Sequence, residues 1–511
     1  MVQHAEMRWW WMDARGTVEV VQTRACGVAD GFASARLAGI GLWTTVGFVT
    51  IVALPVIVRG APLADDYVAC VDVARRGLAD HVRWMFQFTG VIRPARFLEV
   101  ALIGTVCPYR HLGALIALSF ATTVTIAFLV RSTLRDLQVP SPWPEIGGAI
   151  WLLQPLGAEA ALWPSALHVP LGLALAVSAL RLYRRDRVVL GACAGAAACL
   201  CVEQVIFALP AAAWLVAPRA SRVRALVAAA ITSALILVAY RAWPGSEPRA
   251  PLAVSEMIGN VFRGPFFYVR FLATSLGTHS IPLAIAWAFP VSVGVLVAGV
   301  VVGAFVGRRL LASTPSRGAT GRSIRSLALV AVGIAVLLNI PVVVTFPHAN
   351  SGRVFTPTWL MLAIVGAMAG SRLQWHRPRL AGGMAGMLAA GALLSLALSS
   401  SVRVRTADIA QASFQWLGTR VPAHGVIAIC DVRRAMVPNA PTGDFHTSEF
   451  LHIWLAESAL IYHSGVVAEV RQGGQYWQNR CPDIRGADVV VTPDEMLDGA
   501  RRDAASARTR P

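Results

Sequence analysis

The residues best suited to chemistry are two adjacent carboxylates, Asp65 and Asp66, followed by Tyr67. They stand just beyond the first long apolar run of the chain. At a membrane interface an aspartate can take the proton from a sugar or lipid hydroxyl, or ligate a divalent cation. The alternative is structural: Asp65 N-caps a helix and Asp66 complements its dipole. Further polar residues punctuate apolar sequence at intervals: Arg93 and Arg96 in Arg93-Pro94-Ala95-Arg96-Phe97, then Glu159, Trp163 and His168, then Glu203-Gln204, and late in the chain Arg353.

The elements that must position these residues are membrane helices. The chain has 511 residues, of which 56% are hydrophobic and 14% charged, where soluble domains carry about a quarter charged residues. Apolar runs of spanning length recur. Candidate spans are 37–58, 111–130, 143–157, 167–182, 188–202, 205–217, 225–242, 282–306, 326–346, 354–371 and 380–401, which predicts a polytopic helical protein of about eleven spans. The first run is too long for a signal-peptide core and reads as a retained anchor.

The net charge of +17 is carried by arginine, since the sequence contains no lysine. That excludes P-loop and Schiff-base lysine chemistry. Most arginines lie in short loops: Arg131 and Arg135; Arg181, Arg184, Arg185 and Arg187; Arg219, Arg222 and Arg224; Arg308, Arg309, Arg317, Arg322 and Arg325; Arg372, Arg377 and Arg379. With the spans above, every such loop falls on one side, as the positive-inside rule requires. The charge therefore reads as topology and not as nucleic-acid binding. Residues 1–36 are expected in the cytoplasm and the final domain outside.

Two hairpins carry acids at their tips. Reading 188–217 as one helix would bury Glu203 mid-membrane, at about 2.5–3.5 kcal/mol, and would invert every later loop. A hairpin turning at Glu203-Gln204 avoids both. Each arm is then about 21 Å long against a core of about 30 Å, so the tip lies below the surface. The stretch 143–182 behaves alike, with Glu159, Trp163 and His168 at its tip. In the first outer loop, 60–110, the spacing of Tyr67, Val71, Ala74 and Leu78 predicts an amphipathic helix lying on the membrane surface.

Taken in order, these features resemble the GT-C superfamily, multi-spanning glycosyltransferases that use polyprenyl-phosphate-linked sugars. Asp65-Asp66-Tyr67 is similar to the acidic motif that follows the first span in that family. Arg93-Pro94-Ala95-Arg96-Phe97 is similar to the arginine-containing end of the loop in bacterial members, including the O-antigen glucosyltransferase group. Glu159 with Trp163-Pro164-Ser165, Glu203-Gln204, and the segment His348–Pro357 around Arg353 match later positions. The resemblance covers about residues 37–380.

It implies inverting sugar transfer from a polyprenyl-phosphate donor to a glycan, lipid or protein acceptor at the outer face of a bacterial plasma membrane. Asp65 or Asp66 would take the acceptor proton. Arg353, then Arg93 and Arg96, would stabilise the leaving phosphate. Glu159 and Glu203 would shape the acceptor site or help hold a cation, or else bond to backbone at their tips. His168 would contact the phosphate or serve only as a helix-start residue. Trp163 would stack on a sugar or anchor at the interface. Cofactors are open, with magnesium or manganese the cation to test. A lipid-linked glycan flippase and an O-antigen polymerase or ligase are the competing classes, the first expecting polar residues across the full membrane and the second large arginine-bearing outer loops.

Residues 403–511 read as a small outer α/β domain, with strands at Val426–Cys430 and Ala487–Val491, a helix over Glu449–Tyr462 and a frayed end from Asp498. The aromatic and polar stretch Gln472–Trp477 could contact glycan. In an oxidising compartment Cys70 could pair with Cys107, and Cys430 with Cys481.

Overall fold

The computed structural model describes residues 36–62, 65–89, 94–107, 111–153, 161–242, 289–312, 352–372, 377–430, 453–472, 484–508 and the single positions 329, 333, 334, 337, 338 and 481. It is mostly helical. Among the described residues four helices are long and apolar enough to cross a membrane: α1 (Arg36–Arg59), α5 (Gly113–Asp136), the segment Pro164–Arg184 and the run Arg222–Tyr240. Shorter apolar helices accompany them. Several long apolar helices suggest a multi-pass membrane protein.

Between α1 and α5 lie α2 (Asp65–Arg76), α3 (Leu78–Thr89) and α4 (Pro94–Val106). Then come α6 (Trp143–Leu152), a 3-10 turn (Pro164–Ala166), α7 (His168–Arg184), α8 (Val188–Cys201), α9 (Val205–Val216) and α10 (Arg222–Ala242). The chain reverses at 202–204, so 188–217 is a hairpin of two short arms. Of the span expected at 326–346 only isolated helical positions are described, and residues 1–35 lie outside the described set.

Contacts between helix ends are consistent with the alternation inferred from charge. At one end Glu145 of α6 meets Arg131 and Arg135 of α5, Asp136 meets Arg181 and Arg185, and Asp186 meets Arg224. At the other end Tyr240 donates to the Cys199 carbonyl at 3.1 Å. The core between is filled by large side chains such as Trp151, Tyr183, Ile126 and Leu173. The indole N–H of Trp151 donates to the Thr123 carbonyl at 2.8 Å, satisfying a donor that apolar surroundings cannot.

A different packing joins α11 (Phe289–Ala312) to α13 (Pro378–Gly418). Gly299, Gly303 and Gly307 of α11 lie against Gly382, Gly386 and Ala390 of α13. A Cβ added at Gly303 would lie 2.8 Å from the Gly386 Cα. Small residues every four positions let the two backbones approach, the small-xxx-small solution of membrane helices. The repeats are legible in the sequence once sought.

The last apolar run does not end at 401. Helix α13 continues unbroken to Gly418 and enters the C-terminal region. There β1 (Val426–Ile429), α14 (Ile453–Ser464), β2 (Glu469–Gln472), β3 (Val489–Val491) and α15 (Pro493–Arg508) follow α12 (Gly352–Gly370) and α13 in the chain. The sheet is parallel, in the order β2-β1-β3. Phe414, Leu417, Ile427, Leu460, Val470 and Met496 form its core. Both α13 and α14 pack on this unit, consistent with the small α/β domain expected there.

The expected frayed end from Asp498 is instead helical to Arg508. Its start is a capping box: the Thr492 hydroxyl accepts from Glu495 N at 3.2 Å, and the Glu495 carboxylate accepts from Thr492 N at 2.8 Å. Met496 is buried and Gly499 packs against Trp416, so α15 covers α13.

Candidate functional site at the acid-bearing end of the bundle

The loop after α1 is not one surface helix. Gly77, at φ +80°, breaks it into α2 and α3. Of the predicted stripe, Tyr67 and Val71 are buried, whereas Leu78 is exposed and Ala74 is exposed as well. The buried face of α2 runs Asp66, Tyr67, Ala69, Cys70, Val71 and packs into protein. A disulfide from Cys70 to Cys107 fastens α2 to the end of α4, with Cα atoms 5.3 Å apart. Cys430 and Cys481 are joined likewise, at 4.4 Å.

Consecutive residues of α2 engage different parts of the molecule. Asp66 is fully buried, and its carboxylate accepts a hydrogen bond from the Ser165 backbone N–H at 3.0 Å and another from the Ser165 hydroxyl. Ser165 belongs to Trp163-Pro164-Ser165, so Asp66 of the segment after α1 meets the segment that leads into α7. Tyr67 turns the other way. Its hydroxyl lies 3.0 Å from His463 Nε2, and its ring joins the core of the C-terminal domain beside Tyr462.

Three residues beyond Ser165, His168 opens α7. Its backbone N–H donates to Glu99 Oε2 at 3.0 Å, and its Nδ1 lies 2.7 Å from the same oxygen. Glu99, on α4, is 2% exposed. Its carboxylate serves as the N-terminal cap that His168 has no residue before it to supply. The second oxygen, Oε1, is buried and has no hydrogen-bond partner among the described residues. Helix α4 also packs on α8, whose C-terminal end leads into Glu203. Asp66, Glu99, Ser165, His168 and the turn at 202–204 therefore share one end of the bundle.

Several expected residues take definite places. Trp163 is 1% exposed and precedes the 3-10 turn, so its ring is a core element and offers no open face to a sugar. His168 is a satisfied helix-start residue through Glu99. Glu203 sits half-buried in the turn between α8 and α9. Asp65 is the first residue of α2, Arg96 lies in the first turn of α4 and Arg353 in that of α12; their side chains are outside the described set. Arg93, Glu159, residues 348–351 and 473–480 lie outside the described residues altogether.

Glu99 was not singled out from the sequence, although a signal exists. It is the lone acid in the run Phe97–Gly104, and an ionisable residue in an apolar helix is a functional candidate. Among the described residues no three His, Cys, Asp or Glu side chains are grouped so as to hold a metal ion. No family model, curated protein or solved structure matches this chain.

Proposed function

We propose that the protein is a membrane glycosyltransferase of GT-C type, moving a sugar from a polyprenyl-phosphate donor to an envelope glycan, lipid or protein acceptor at the outer face of the plasma membrane. The observation that carries the reading is the meeting of Asp66 with Ser165 beside the Glu99–His168 pair. Acids and polar side chains from separate outer segments converge at the end of the bundle opposite the arginine-rich loops. Both disulfides lie towards this end, as an oxidising compartment would allow.

In this reading the two aspartates divide the work. Asp66, buried and bonded, holds the loop against the second hairpin. Asp65, at the start of α2, takes the acceptor proton as the acceptor oxygen forms its bond to the anomeric carbon. The anomeric carbon–phosphate oxygen bond breaks on the opposite side, giving inversion. The leaving phosphate departs with its negative charge, which arginine would stabilise; Arg353, Arg93 and Arg96 are the candidates.

The test is mass-spectrometric comparison of envelope glycans from wild type, a deletion strain, and the deletion complemented with wild type or with an Asp65→Asn/Asp66→Asn double variant at matched membrane levels. One sugar decoration should vanish on deletion and return with wild type alone. Full restoration by the double variant would overturn the mechanism and favour a transporter or polymerase.

A further inference from the structure

The stretch from Ser165 to His168 is gripped at both ends by carboxylates from different helices. Asp66 of α2 accepts from the Ser165 N–H at 3.0 Å and from its hydroxyl. Glu99 of α4 accepts from the His168 N–H at 3.0 Å and lies 2.7 Å from its Nδ1. The stretch itself is a hydrogen-bonded turn: the Ala166 N–H donates to the Trp163 carbonyl at 3.0 Å, and the Leu167 N–H to the Pro164 carbonyl at 3.1 Å. Helices α2 and α4 pack on each other and are joined by Cys70–Cys107. The three pieces therefore form a closed ring of two hydrogen-bonded clasps and one disulfide. A displacement at one joint has to be taken up at another.

Helix capping alone does not explain Glu99. A cap ordinarily comes from the residue before the helix, as a serine, threonine, asparagine or aspartate. Leu167 holds that place in α7 and offers no side-chain acceptor. An acid 2% exposed reaches in from another helix instead, at the cost of burying an ionisable group. Among the described residues no arginine meets Glu99, in contrast to Glu145. What glutamate brings to this place is reach, since it carries its oxygens one methylene further from the backbone than aspartate does.

We infer that Glu99 is a positioning residue for the transfer step. Asp65 precedes Asp66 in the first turn of α2. By holding His168, Glu99 fixes the turn that carries Ser165, Ser165 fixes Asp66, and Asp66 sets where α2 begins and so where Asp65 meets the acceptor hydroxyl. The role rests on the proposed sugar transfer; the ring itself does not.

Two variants separate reach from charge. Glu99→Gln keeps the length and an acceptor oxygen and removes the charge. Glu99→Asp keeps the charge and withdraws it by one methylene. In the deletion strain, at matched membrane levels, the rate of glycan decoration after induction would be measured. The purified full-length proteins in nanodiscs would be read for hydrogen exchange at the Ser165 amide and for the unfolding midpoint. Glu99→Asp should speed Ser165 exchange about ten-fold, as for loss of one buried hydrogen bond, and slow decoration by at least as much. Glu99→Gln should stay near wild type in both. If one variant does not fold, the other decides alone. Full decoration with Glu99→Asp would overturn the inference, as would lost decoration with Glu99→Gln while the Ser165 amide stays protected, which would assign Glu99 a role through its charge. A midpoint lowered equally by both variants, with decoration following the midpoint, would leave a stabilising role only and overturn it too. Glycans unchanged by the deletion, with Ser165 exchange still responding to Glu99→Asp, would remove the transfer reading and this role with it and leave the ring standing.

Discussion

The two ends of the bundle handle their carboxylates differently. At the arginine-rich end Glu145, 1% exposed, receives Arg131 at 3.0 Å and Arg135. Asp136 receives Arg181 and Arg185, and Asp186 receives Arg224. At the opposite end Asp66 accepts from the backbone and hydroxyl of Ser165, and Glu99 holds the start of α7 through His168. Arginine pairing at partly exposed loops needs little precision, since long side chains adapt and water screens the pair. Short hydrogen-bonded contacts from backbone and serine fix geometry more closely. That end is also fastened covalently, by Cys70–Cys107. The difference separates a set of topology markers from a built cluster.

Substitutions should sharpen that contrast. Asp66→Ala would leave the Ser165 N–H and hydroxyl buried without their acceptor, a loss of about 3 kcal/mol, read as a lowered unfolding midpoint in detergent; an unchanged midpoint would mean the contact does not hold the loop. Glu145→Ala removes a buried acceptor but frees two arginines that reach water, so about 2 kcal/mol is expected in the same assay. Tyr67→Phe deletes one hydrogen bond to His463 and should cost about 1 kcal/mol, with faster amide exchange in both α2 and α14. Exchange confined to one of these helices would argue against coupling of the first loop to the C-terminal domain. Arg224→Gln, an exposed pair at 3.3 Å, should change stability by less than about 0.5 kcal/mol.

Much of this arrangement is legible in the sequence because the relevant forces are local or one-dimensional. Bilayer thickness sets helix length, and arginine placement sets alternation, so the hairpin at Glu203 follows from charge alone. The acid pair and Trp163-Pro164-Ser165 can likewise be located. The meeting of Asp66 with Ser165 cannot, because it depends on how α2, α4 and the segment before α7 stack. Packing also decided Trp163, whose amphipathic ring suits either an interface or a core.

Other features were hidden for more specific reasons. Glu99 lies inside an apolar run, where attention to loops passes it over. Tyr67 fits the stripe of a surface helix, yet its ring is claimed by a domain that begins over three hundred residues later. The break at Gly77 escaped because the apolar spacing continues past it to Leu78. Thr492-Pro493-Asp494-Glu495, a capping-box spacing with proline at the first helical position, signals the helix that follows Thr492.

The central claim is that adjacent aspartates do different work, and single variants in the deletion strain test it most directly. Glycan decoration and the unfolding midpoint of the purified protein would be measured for Asp65→Asn and Asp66→Asn. The account predicts that Asp65→Asn abolishes decoration with the midpoint of wild type, while Asp66→Asn lowers both together. Full decoration with Asp65→Asn would contradict it.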